Sequence, residues 1–263
     1  MLKGLTLDCE RERARIVAFI REQLAAAGYS RVVLGLSGGL DSALTAALSV
    51  QALGAANVHA VIMPHRTSNS ESELHATAQA RALGLDPLHF DISDVVEPYL
   101  AADPTITDLR RGNLMARARM MTLFDQAAAL RALVAGTSNR TEYLLGYFTM
   151  FGDSAASFEP LMHLYKCHVK ALSRHVGVLE VILNKAPSAD LWPGQTDEGE
   201  LGYTYAEADA ILYLLTERAL PPPEVAARGY TLATVEAVQR KMRSTAFKRV
   251  PPPFLSTDGR HAL

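Results

Sequence analysis

Four short apolar runs, alternating with helical patterns and ending in polar turns, constrain the fold of this chain more than any other feature. The runs are RVVLGL (Arg31 to Leu36), HAVIMP (His59 to Pro64), LHFDI (Leu88 to Ile92) and LVAGT (Leu133 to Thr137). Brief β-branched and apolar runs of this kind read as buried strands. Apolar periodicity between them predicts helices over residues 10–27, Asp41 to Leu53, Ser70 to Leu83 and Arg111 to Leu133, with Gly84 closing the third. Strands alternating with helices imply βαβ units, hence an α/β fold: a doubly wound parallel sheet with flanking helices. Ligands of such sheets bind beyond the carboxyl ends of the strands. The segments to inspect are therefore SGGLDS, MPHRTSNSES and GTSNRTE.

Past Lys166 the pattern becomes helical. Residues 184–204 are rich in proline, glycine and acids and read as one long loop, and PPPE (Pro221 to Glu224) marks another break. A chain of 263 residues with 49% hydrophobic and 21% charged residues fits one globular domain over 1–263, with a frayed tail at 256–263. A net charge of −2 points to no polyanionic partner, so neither nucleic acid nor a lipid surface is expected. No apolar stretch is long enough to span a bilayer, and the first residues carry acids where a signal peptide would be apolar. Cys9 and Cys167 form no CxxC pair and no metal spacing, which suits a reducing cytoplasm.

The run Gly35-Leu36-Ser37-Gly38-Gly39-Leu40-Asp41-Ser42 lies at a strand-to-helix junction. Its glycines let the backbone approach a ligand, and its amides with the helix N-terminus make an anion site to which Ser37 and Ser42 add hydroxyls. No GxxxxGK[ST] is present, so this is not a loop holding a transferable γ-phosphate, and no GxGxxG is present either. Read without a ligand, the same run is a simple turn. Asp41 reads either as a first-turn carboxylate complementing the helix dipole or as a Mg²⁺ ligand beside bound phosphate. In GTSNRTE, Ser138 or Asn139 reads as a helix cap and Glu142 as a first-turn acid or a second metal carboxylate. Taken singly, Arg117 reads as a solvated helix charge and Lys166 as a surface lysine.

Together the segments LGLSGGLDSAL, MPHRTSNSES, RRGNLMARARM, GTSNRTEYLLGYFTMFGD, PSADLWPGQTDEGELG and FKRVPPP resemble the ammonia-dependent NAD synthetases, over roughly residues 10–253. That family lies within the ATP pyrophosphatase (PP-loop) superfamily, and the likeness implies its adenine nucleotide alpha hydrolase-like sheet. The implied reaction is adenylation of the nicotinate carboxylate of deamido-NAD by ATP, with Mg²⁺ as cofactor, then amidation by ammonia to give NAD, AMP and pyrophosphate. A homodimer with dinucleotide sites near the subunit interface is implied as well. Carried over by position, Gly35, Ser37, Gly38, Gly39, Asp41, Ser42, Met63, Thr137, Lys166 and Ser188 contact ATP. Asp41 and Glu142 hold Mg²⁺, and Arg117, Met150, Ser157, Phe247 and Lys248 fall on the deamido-NAD side. Asp153 lines the ammonia site and, with Lys166 and Asp41, makes the catalytic set. Asp153 would attract ammonium and help remove its proton, and the loop around Ser188 to Gly202 would act as a lid.

The chain departs from the family at three acceptor positions. Met150 stands for a lysine, Ser157 for an aspartate, and Phe247 for a histidine that precedes the retained Lys248. Neither cysteine sits in an amidotransferase setting, so ammonia, free or delivered by a separate protein, is the implied donor. Two other readings share the loop: a PP-loop relative that adenylates another carboxylate, and a non-catalytic nucleotide-binding regulatory protein. Formation of AMP and pyrophosphate with candidate carboxylates separates the readings.

Overall fold

The computed structural model describes residues 3–188, 195–255 and 261–262. Asp8 opens α1 (Cys9–Ala27) by accepting the Arg11 N–H. β1 (Val32–Gly35) then runs into α2 (Leu40–Leu53), and β2 (Val58–Ile62) into α3 (Ser70–Ala82). β3 (Leu88–His89) is followed by α4 (Ser93–Ala102) and α5 (Asp108–Leu130). After β4 (Leu133–Val134), α6 (Arg140–Leu145) begins on the cap of Asn139, whose side chain accepts the Glu142 N–H. The remaining helices are α7 (Lys166–His175), α8 (Glu180–Leu183), α9 (Asp197–Leu201), α10 (Tyr205–Thr216), α11 (Pro222–Ala226) and α12 (Leu232–Ser244).

The sheet order is β3-β2-β1-β4 and every pairing is parallel. Val32 and Val33 of β1 pair with Val58 and His59 on one side and with Leu133 and Val134 on the other. Successive strands run outward from β1 to β3, and the chain then returns to place β4 on the opposite side of β1. This reversal makes the gap between the carboxyl ends of β1 and β4 the topological switch point, where open α/β sheets take their ligands.

The two faces of the sheet follow from strand alternation. Val32, Leu34, Val58, Ala60 and Ile62 pack with Ile16, Ile20, Leu44, Leu48, Val169 and Leu172 of α1, α2 and α7. Val33, Val61 and Val134 face Ile92, Val96, Met115 and Ala118 around α4 and α5. A separate cluster around Ile211, Leu212, Val235 and Val238 joins α10, α11 and α12 to Tyr165 and Leu145. It fixes the helical half of the chain beside the strand ends.

Several expected elements shift. The third strand, expected to reach Ile92, is regular only over Leu88–His89, although Phe90 and Ile92 still donate to the carbonyls of Ile62 and Pro64. α4 has no counterpart in the sequence reading and carries Pro98 within it. α5 starts at Asp108 rather than Arg111 because the Thr107 hydroxyl caps it. The long loop over 184–204 contains α9, capped by Thr196 and closed by Gly202 in the left-handed region. The expected lid, Ser188 to Gly202, includes residues 189–194, which lie outside the described ones, as do 256–260 and 263 of the expected tail. His261–Ala262 pairs antiparallel with Phe254–Leu255.

Candidate active site

A cavity of about 990 Å³ opens at the switch point, walled by the turns after β1, β2 and β4 and by α5, α7 and the segment after α8. Its floor is the turn after β1. Gly38 sits at φ +75°, and a Cβ there would come within 2.1 Å of the Ser72 carbonyl oxygen on α3. The loop is held from inside: Ser37 N–H donates to Ser42 Oγ at 3.2 Å, Gly39 N–H donates to Ser37 Oγ at 3.2 Å, and Ser42 Oγ donates to Gly39 O at 3.0 Å. Gly39 caps α2 with no side chain of its own, so the amides of the helix start are open to an anion.

Two carboxylates reach the cavity from opposite sides of the switch point, Asp41 from the first turn of α2 and Glu142 from the first turn of α6. They converge on one cation. Lys166 Nζ lies 2.5 Å from Asp41 Oδ2 and 3.0 Å from Glu142 Oε1. Asn139, fully buried, donates from Nδ2 to Asp41 Oδ1 at 2.9 Å while its Oδ1 caps α6, so one residue orients both acids. Burial pushes Glu142 above the ordinary carboxylate range, with Lys166 opposing the rise and Asp41 adding to it. Burial alone would lower Lys166, but Asp41 and Glu142 outweigh it and hold the ammonium above its usual range.

Behind Lys166 stands a buried support. Its backbone N–H donates to Thr141 Oγ1, which donates to Asp209 Oδ1, while the Cys167 N–H donates to Asp209 Oδ2. Asp209 is 1% exposed, and burial raises its carboxyl against these hydrogen bonds. The Lys166 ammonium also lies 5.1 Å from the centre of the Tyr205 ring, and Tyr205 in turn donates to Asp197.

The remaining positions singled out by sequence divide cleanly. Gly35, Ser37, Gly39, Asp41, Ser42, Met63, Thr137, Glu142, Asp153, Lys166, Ser188 and Lys248 line the cavity. Asp153 accepts the Thr149 N–H at 2.8 Å. Lys248 Nζ donates to the carbonyls of Gly146 and Phe148. Arg117, Met150, Ser157 and Phe247 lie outside the cavity wall: Arg117 reaches the Met150 carbonyl at 3.4 Å, and Phe247 is 62% exposed. Ser157 is bound to the sheet edge, its hydroxyl accepting the Val134 N–H at 3.1 Å.

The sequence reading passed over Lys185, Arg119 and Glu159. Arg119 fixes the turn after β2 by donating to the Met63 carbonyl. Glu159 fills the space beside Gly136, where a Cβ would come within 2.2 Å of its carboxyl carbon. Its Oε2 accepts the Ser138 N–H at 3.0 Å, and its Oε1 is buried with no hydrogen-bond partner among the described residues. Burial pushes this carboxyl up to about 8, the Ser138 bonds opposing and Glu142 and Asp153 adding. A raised folded-state pKa means the native state holds a proton that the unfolded chain releases. Stability from this group is therefore full below about 4.5 and lost as pH rises to about 8. Glu159→Gln should flatten that decline, gaining on the order of 2–4 kcal/mol relative to wild type between the two ends of the window. Chemical denaturation of both proteins across that range checks it, and parallel pH profiles would refute it.

The comparisons with known proteins point the same way. The sequence model described as NAD synthase matches residues 12–252. An NH(3)-dependent NAD(+) synthetase from Trichlorobacter lovleyi is 44% identical over 259 residues, 98% of this chain and 95% of its own length. One from Fusobacterium nucleatum subsp. nucleatum is 44% identical over 95% of this chain and 97% of its own. Among solved structures, the NMN synthetase from Francisella tularensis superposes with a TM-score of 0.82 at 31% identity, covering 94% of this chain and 98% of its own. The NH3-dependent NAD synthetase from Campylobacter jejuni, in complex with nitrate, gives 0.81 at 31% identity over 95% and 100%. Matched along nearly its whole length in sequence and in fold, the chain belongs to the NAD synthase family.

Proposed function

We propose that this protein is an ammonia-dependent NAD synthetase: it adenylates the nicotinate carboxylate of deamido-NAD with ATP and amidates it with ammonia, giving NAD, AMP and pyrophosphate. The observation that carries this reading is the convergence of Asp41 and Glu142 on one cation position beside the open amides at the start of α2, in a chain of this family. The donor set suits Mg²⁺, a hard cation that takes one or two carboxylates and completes its shell with phosphate oxygens and water. Asp41 and Glu142 would hold it, and when bound it neutralises charge on the phosphates. Lys166 and the loop amides would stabilise the pyrophosphate as the bond between the α and β phosphates breaks and the acceptor carboxylate bonds to the α-phosphorus. Asp153, on the cavity wall, would attract ammonium and take its proton before attack on the acyl-adenylate.

No described helix is long and apolar enough to cross a membrane, and both cysteines are free thiols, in keeping with a cytoplasmic enzyme. The resemblance supports a homodimer, and an acceptor site completed near the subunit interface would engage Arg117, Met150, Ser157 and Phe247, which the cavity of one chain does not.

ATP, Mg²⁺, ammonium and deamido-NAD should yield NAD, AMP and pyrophosphate in equal amounts. ADP as the stoichiometric product would overturn the reading. The likeness to a protein named as an NMN synthetase adds one arm to the assay, the mononucleotide acceptor, which presents the same nicotinate carboxylate. Amidation of the mononucleotide with none of the dinucleotide would replace deamido-NAD as the substrate while leaving the chemistry intact.

A further inference from the structure

Among the cations on the cavity wall that the chemistry above does not use, Lys185 sits against the glycine loop. Lys185 stands just after α8, in the turn that follows Asn184, and lines the cavity. Its Nζ reaches back to α3 and donates to Ser72 Oγ at 2.7 Å. Ser72 is the residue whose carbonyl occupies the space beside Gly38. The ammonium is thus held by the residue packed directly on the glycine loop.

Among the described residues Lys185 forms no ion pair, and its ammonium donates to a neutral hydroxyl. Lys166, the cation already given to the pyrophosphate, is by contrast paired with Asp41 and Glu142. A lysine without a carboxylate partner among the described residues, near the open amides at the start of α2, is placed for phosphate, which lysine binds as a compact charge.

We propose that Lys185 is a ligand of the β and γ phosphates of ATP and so of the leaving pyrophosphate. The inference rests on the reading of the glycine loop as a pyrophosphate site. When the acceptor carboxylate bonds to the α-phosphorus, the electron pair of the breaking P–O bond passes to the pyrophosphate oxygen. A cation held at the loop stabilises that growing charge more than it stabilises bound ATP. In this account Ser72 Oγ is the resting partner of Nζ, and phosphate oxygens take its place.

Product inhibition separates this role from a structural tether between α8 and α3. Lys185→Met should raise the inhibition constant of pyrophosphate about tenfold or more, the loss of one charge-assisted hydrogen bond. Inhibition by AMP, which lacks the β and γ phosphates, should be unchanged. Lys185→Arg should retain most of the pyrophosphate affinity, and Ser72→Ala should leave it unaltered, since Ser72 Oγ holds Nζ only in the absence of phosphate. Lys185→Gln, neutral and capable of hydrogen bonding, should behave as Lys185→Met and serves if the methionine variant does not fold. Equal weakening of AMP and pyrophosphate, a Ser72→Ala protein that copies Lys185→Met, or no change in pyrophosphate inhibition would each overturn the proposal. Wild-type protein that makes AMP yet is insensitive to pyrophosphate would remove the loop reading and this inference with it. Wild type that is inhibited while Lys185→Met is inhibited equally would remove the inference alone.

Discussion

Glu142→Gln should lose most of its turnover, on the order of 10²–10³-fold, while melting at or above the wild-type temperature. The two halves of this result have one cause. Burial disfavours the Glu142 carboxylate, so a neutral amide at this position relieves a cost of folding. Glutamine also keeps the helix cap, since it can accept the Asn139 N–H in the same box geometry. Lys166 is left paired with Asp41 rather than stranded. What disappears is one of the charges that would hold Mg²⁺ at the phosphates. Asp41→Asn should be as inactive but slightly less stable, because Asp41 also complements the N-terminus of α2, an effect of about 0.3–1 kcal/mol. AMP and pyrophosphate formation across a Mg²⁺ titration, with thermal melts of both variants, measures all of this. Near-normal turnover of either variant at limiting Mg²⁺ would remove the metal assignment.

Asp41 and Glu142 were legible because local sequence carried them. Each lies in the polar turn after a strand, and the strands showed as short β-branched runs whose alternation sorts Val32 and Leu34 from Val33 onto the two faces. Elements whose signals are local and apolar read well. α4 did not, because Pro98 reads as a breaker while the helix is secured by burial of Val96 against α5, a tertiary effect. Residues that depend on distant partners were equally hidden. Nothing around Asp209 announces that it ties Thr141 to the start of α7, nor does NKAPS announce that Lys185 meets α3. Taken apart from the family resemblance, Lys166 looked like a surface lysine because the two acids that bury it lie 125 and 24 positions away. On the acceptor side, the substitutions were plain but their placement was not: Ser157 is engaged in the edge of the sheet and Phe247 lies on the outer surface, so neither replaces a lost charge inside the cavity of one chain.

The sharpest test of the loop compares its two adjacent glycines. Gly38 lies at φ +75°, where a side chain costs about 1–2 kcal/mol before any contact is counted. A methyl group there would also come within 2.1 Å of a backbone oxygen, that of Ser72, which cannot rotate away as a side chain would. Either the loop or the start of α3 must move. Gly39 adopts φ −92° and ψ 165°, open to any residue, and a Cβ would meet only Ser37 Oγ at 3.2 Å. Gly38→Ala should therefore raise KM for ATP at least about tenfold and lower stability by about 2–3 kcal/mol. Gly39→Ala should keep its stability within about 1 kcal/mol of wild type, its effect confined to the hydroxyl of Ser37 and hence to the internal bonds of the loop. Steady-state kinetics in ATP and denaturant melts of the two variants decide the matter. Equal losses would mean that the loop needs glycine for general pliancy, whereas the predicted asymmetry would show that Gly38 alone carries the close approach between the phosphate floor and α3.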